Sequence, residues 1–118
     1  KMLEQINMEY YSAYLYLSMS LDAQFKHLNG IAKWLFVQWQ EEQDHARILE
    51  LYMLSQDEAV ELLPIEEVPH EWKGVKYLFK EALKHEQKVT ASIHQLMLQV
   101  LQLLQMVYQY YHHFVLKA

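Results

Sequence analysis

The sequence predicts an all-α fold, a bundle of long helices joined by one long crossover, and three observations predict it. Only two Gly and two Pro occur in 118 residues, too few turn-formers for a chain of many short strands. Apolar residues recur every three or four positions over two long stretches, the period of an amphipathic helix. The hydrophobic content of 53% is enough to bury one continuous core, so residues 1–118 are expected to form one domain.

The first helix is expected from Met2 to about Phe25, where Leu3, Ile6, Tyr10, Ala13, Leu17 and Leu21 keep the helical spacing. Asn29-Gly30 is read as its break. A second helix follows from about Ile31 to Leu54, with Trp34, Leu35, Gln38, Glu42, His45, Leu49 and Met53 along one stripe. So short a connection makes the two helices antiparallel neighbours.

Residues 57–73 hold both prolines, Pro64 and Pro69, and the acidic stretch Ile65-Glu66-Glu67-Val68, without a sustained helical period. About fifteen extended residues reach ~50 Å, and the second helix is only ~36 Å long. The segment can therefore cross the whole bundle and let a third helix, starting near Gly74, lie parallel to the second.

After Glu86 the chain contains no Asp, Glu, Gly, Pro or Asn. Gln95, Gln99, Gln102, Gln105 and Gln109 follow one another at helical spacing, a narrow polar stripe on an apolar helix. A helix from Val75 to Leu116 would be ~60 Å long. Either it bends back around 97–108 without a turn signal, or it overhangs its neighbours and packs on another chain.

Charge and composition exclude several classes. A net charge of -5 with 10 Lys+Arg offers no basic stripe, so no nucleic-acid partner is expected. The absence of Cys removes disulfides, thiolate ligands and cysteine nucleophiles, leaving oxygen and nitrogen donors for any metal. Gln and His interrupt the apolar run at 96–116, so no membrane span is expected. KMLEQINMEYY shows no signal-peptide pattern, and its abrupt helical start predicts further residues upstream. The cytoplasm is the expected compartment.

Glu42-Gln43-Asp44-His45 carries the strongest chemical signal. Glu and His three apart share a helix face and can bind one metal together. On a solvated face that spacing means little. Here it falls in a stripe with Trp34, Leu35, Leu49 and Met53, and buried carboxylates are costly unless paired or metal-bound. Glu9 likewise interrupts the first helix beside Ile6 and Leu17, with Tyr16 two turns further on, and Glu86 lies between Leu83 and Val89. Three helices thus each offer an acid at similar depth.

Four blocks carry a family resemblance: LEQINMEYYSAYLYLSMS (3–20), VQWQEEQDHA (37–46), VPHEW (68–72) and KHEQKVTASIHQL (84–96). Over about residues 1–96 the chain resembles the non-haem ferritins of bacteria and archaea. That resemblance implies a ferritin-like four-helix bundle with a long crossover between helices two and three, its fourth helix here truncated or atypical. It implies a di-iron centre in which Glu9 binds the first iron, Glu42 bridges both, His45 binds the first and Glu86 the second. Tyr16 resembles the tyrosine beside that centre, a hydrogen-bonding group and electron donor, and Glu41 matches a residue near an accessory iron position in some relatives. The implied activity is oxidation of Fe(II) by O2 to ferric mineral, for iron storage and detoxification. The implied partners are Fe(II), O2 and further copies of the chain in a cage. Hard carboxylate oxygens favour Fe(III) over Fe(II), and one imidazole adds selectivity.

The chain departs from that pattern after Glu86, where the family's fourth helix carries a Gln and Glu cluster near the second iron. A gapless reading puts Tyr111-His112-His113-Phe114-Val115 at that helix's opening instead and ends before the cluster, and a reading with a deletion puts Tyr110-Tyr111-His112-His113 on it. The departure supports an alternative, a structural or iron-binding subunit of the same fold with an incomplete, weakly active site. A rubrerythrin-like oxidase would need a second Glu and His pair three apart, but Val89 stands at that spacing from Glu86. A DNA-protecting mini-ferritin would use differently spaced ligands from two subunits. His27, His70, His85 and His94 are read as surface or loop residues.

Overall fold

The computed structural model describes residues 2–112; from residue 89 onward side chains are described only at 91, 95, 98, 102, 104–109 and 112. Every regular element among them is a helix: α1 (Met2–Phe25), α2 (Asn29–Ser55) and α3 (Val75–Tyr111). The expected all-α architecture and the order of its helices hold.

The break after α1 is not where the sequence suggested. Asn29 and Gly30 form the first turn of α2, and no glycine has a positive φ. The reversal is made at Lys26-His27-Leu28, where His27 takes φ 62°. Leu28 N–H donates to the Ala23 carbonyl at 2.9 Å and His27 N–H to that of Gln24 at 3.0 Å, the paired bonds of a left-handed helix cap. Asp57, at φ 60°, ends α2 in the same way, with Glu58 N–H on the Met53 carbonyl at 3.0 Å and Asp57 N–H on that of Leu54 at 3.1 Å. His and Asp fill positions where glycine is the usual occupant, so the turn signal was absent from the residue types.

α1 and α2 run antiparallel, as their short connection requires; Ser20 Oγ donates to the Ala32 carbonyl at 2.7 Å. The crossover then follows α1 in its own direction. Asn7 Nδ2 donates to the carbonyls of Leu63 and Pro64 at 3.3 and 3.0 Å, and Ser18 Oγ to that of Pro69 at 2.5 Å. Trp72 N–H reaches Asp22 Oδ2 at 3.3 Å. Lys26 Nζ clamps this end, pairing with Asp22 at 2.9 Å and donating to the Trp72 carbonyl. The crossover thus delivers α3 to the far end of the bundle, antiparallel to α1 and parallel to α2.

The apolar core lies at that far end. Leu15, Tyr16, Met19 and Ala23 of α1 pack with Ala32 and Leu35 of α2, Trp72, and Leu78 and Ala82 of α3. Trp34 and Phe79 join α2 to α3, ring centroids 6.1 Å apart. Toward the other end the buried face turns polar: Gln5, Glu9 and Ser12 on α1, Glu42 and Glu50 on α2. The inward stripe of α2 is centred on Ala32, Leu35, Glu42, Ala46 and Met53. Trp34 and His45, read from the sequence as inward, sit on the flank of that stripe and are exposed.

α3 spans 37 residues, ~55 Å against ~40 Å for α2. With no Gly, Pro, Asn or Asp to break it, it continues straight past its neighbours instead of bending at 97–108. Leu104, Met106, Val107 and Tyr108 stand exposed near its end. Among the described residues α3 occupies the chain through Tyr111; the expected fourth helix, with the reading of His113, Phe114 and Val115, lies outside the described residues.

Candidate metal centre

Helical spacing places the donors. On α1, Gln5, Glu9, Ser12 and Tyr16 follow one another at four, three and four residues, one buried stripe. On α2, Glu42 and His45 are three apart, with Glu42 on the buried stripe and His45 at its edge. α3 brings Glu86 to α1 beside Tyr16, whose hydroxyl donates to Glu86 Oε1.

Glu9, Glu42 and His45 converge, their ligand atoms all within 4.8 Å of one another. His45 Nδ1 lies 3.6 Å from Glu9 Oε2 and 3.5 Å from Glu42 Oε2. Both carboxylates are almost wholly buried, whereas half of the His45 side chain is exposed. A small ion can therefore approach past His45.

Glu9 Oε1 accepts a bond from Gln5 Nε2 at 3.0 Å. The other oxygen, Glu9 Oε2, and its counterpart Glu42 Oε2 are buried with no hydrogen-bond partner. A buried acceptor left in that state costs about 1–3 kcal/mol. Two such oxygens aimed at one imidazole fit a bound cation, which satisfies both at once. Burial, then the adjoining Glu9 side chain, then the charges of Glu9, Glu86 and Glu41 push the Glu42 carboxyl up to about 9. Without a cation, the cluster holds more negative charge than it can ionise. Burial and the Glu86 carboxylate also raise the Tyr16 hydroxyl, which stays protonated as a donor.

Of the five residues the sequence singled out, Glu9, Glu42 and His45 meet at one point. Tyr16 and Glu86 form an adjoining pair, close enough for the Glu86 charge to act on Glu42. Glu41 is exposed and reaches the cluster through its charge alone. Among the described residues no other group of three such donors converges.

The histidine reading needs one correction. His27 and His70 are exposed as expected, and the His94 side chain lies outside the described residues. His85, however, is buried, its Nε2 2.5 Å from Ser12 Oγ. Its ring stands edge-on to Tyr16 at 6.2 Å and tilted against Tyr11 at 5.8 Å. Burial lowers its pKa, which keeps the imidazole neutral. The signal was in the spacing: Leu78, Ala82 and His85 share the buried stripe of α3. Glu50, eight residues beyond Glu42 on the α2 stripe, was also missed. It is buried, accepts a bond from the Tyr10 hydroxyl and lies 3.6 Å from Arg47.

A family model described as a ferritin-like domain matches residues 1–103. The bacterial non-heme ferritin of Campylobacter jejuni is 40% identical over 93 residues, 79% of this chain and 56% of that protein. A probable bacterial non-heme ferritin-like protein of Haemophilus influenzae is 34% identical over the same shares. An open pore ferritin from the hyperthermophilic archaeon Archaeoglobus fulgidus superposes with a TM-score of 0.84 at 36% identity, covering 98% of this chain and 71% of that one. The chain spans about half the length of the curated relatives it matches, 56% in both cases.

Proposed function

The chain belongs to the ferritin family, and from that premise we propose that it oxidises Fe(II) with O2 and stores the product as ferric mineral. The observation that carries this reading is the pair of partnerless buried oxygens, Glu9 Oε2 and Glu42 Oε2, converging on His45. Oxygen donors with one imidazole suit iron, and their negative charge favours the ferric over the ferrous ion. In this reading Glu9 and His45 would hold the first ferrous ion, Glu42 both ions and Glu86 the second, with Tyr16 hydrogen-bonded to Glu86 beside them. A pair of ferrous ions held there would give two electrons to O2, which with two protons becomes hydrogen peroxide, and hydrolysis of the ferric ions would yield the mineral.

Glu42 has a further part. Binding a cation displaces the proton that burial keeps on its carboxyl, so uptake releases a proton. The half-exposed His45 lies where ions enter. No helix among the described residues is long and apolar enough to cross a membrane. The reading places the protein in the cytoplasm as a homo-oligomer, with the cage that the family resemblance implies as the assembly.

Aerobic addition of Fe(II) is expected to give a fast rise in near-ultraviolet ferric absorbance, and Glu42→Ala to abolish that fast phase. An unchanged rate in the variant overturns the ferroxidase reading. Slow oxidation in the wild type, with tight iron binding retained, favours the alternative of a structural or iron-binding subunit.

A further inference from the structure

α3 follows a crossover with no regular structure that is clamped at Trp72 by Asp22 and Lys26; beyond that clamp its register on α1 is left to side-chain contacts. A slip of one residue moves every side chain on it by ~1.5 Å along the axis and ~100° around it. Among the described residues, two side-chain hydrogen bonds tie it to α1: Ser12 with His85, and Tyr16 with Glu86. The two α3 residues are consecutive, and their partners lie one turn apart on α1.

The Ser12 bond has a defined sense. Ser12 Oγ donates its one proton to the Met8 carbonyl at 2.8 Å, so toward His85 it accepts, and His85 Nε2 carries the hydrogen. The ring then packs between Tyr11 and Tyr16, walling the tyrosine whose hydroxyl holds Glu86. Losing this bond would leave Glu86 as the sole polar tie of α3 to α1 among those described, on a partly exposed carboxylate.

We propose that His85 is a positioning residue: its bond to Ser12 sets the register of α3 on α1 and so holds the Glu86 carboxylate at Tyr16, beside the cluster of Glu9, Glu42 and His45. The inference rests on the metal-centre reading above and adds to it a residue that touches no ion. Groups that orient metal ligands in this way typically change affinity by about tenfold or more when removed.

Two measurements on the full chain test it. In the metal-free protein, the ¹³Cζ resonance of Tyr16 reports its bond to Glu86; it should move in Ser12→Ala, which leaves the His85 ring beside Tyr16, and move further in His85→Leu than in His85→Gln, whose Nε2 can still donate to Ser12. In titrations with Co(II) followed by its visible absorption, both disrupting variants should bind the second ion about tenfold more weakly while the first is unaffected, and His85→Gln should restore it. An unmoved Tyr16 resonance, or equal weakening of both ions, overturns the proposal. So does a double variant His85→Leu/Ser12→Ala whose losses simply add, because one shared bond can be lost only once. A wild-type chain that takes up no second Co(II) overturns the two-ion reading of the site, and this inference with it. A wild type that binds two, with variants that behave identically to it, overturns this inference alone.

Discussion

Glu42 shows how one residue couples charge to stability. The folded protein keeps its proton up to about 9, whereas the unfolded chain loses it near the ordinary 4.5. Its contribution is therefore fully present below pH 4.5 and is lost as pH climbs toward 9. We predict that urea unfolding of the metal-free protein shows stability falling across that window, and that Glu42→Gln flattens the fall and is the more stable form at pH 8. A wild-type profile that rises with pH there would show that Glu42 is ionised in the fold. Acid at this position was legible in the sequence from its place among apolar neighbours; its missing hydrogen-bond partner was not, because that depends on Glu9 and His45 arriving from two helices.

At the level of elements, the helix ends are decided by backbone shape as much as by residue type. His27 holds a left-handed conformation at φ 62°, which costs a residue with a Cβ roughly 1 kcal/mol. His27→Gly is thus expected to stabilise the fold by up to about 1 kcal/mol in chemical denaturation, with iron oxidation unaffected because His27 lies at the bundle end away from the metal cluster. Asn29-Gly30 looked like the turn from its residue types, yet those residues begin α2. Turn propensity is a local preference, and three residues of cap already complete the reversal before Asn29. The α3 path was left open by the sequence between bending and overhanging; the absence of any turn-former after Glu86 decided for a straight helix.

Taken whole, the molecule is 69 Å long and at most 26 Å across, with an apolar core at one end of the three-helix contact and a polar cluster further along. That division allows a charged site inside a small bundle, since Leu15, Met19, Leu35 and Leu78 provide the packing at one end that Glu9 and Glu42 forgo at the other. Storage, as proposed, would be a property of an assembly and not of one chain. If the chains enclose a cavity, aerobic loading followed by gel filtration should recover far more ferric ions per chain than the centre has places for. Elution with no more iron than those places would leave oxidation standing and remove storage.

The sequence by itself determined the helical class, the crossover, and the acids that interrupt apolar stripes, because periodicity and the cost of burying charge are readable along one chain. Only the tertiary structure decided which donors meet, that His45 lies at the mouth of the cluster instead of inside it, and that the buried face of α3 brings His85 to Ser12. Those facts depend on the rotation and axial register of one helix on another, and a residue's own neighbours in sequence carry no record of either.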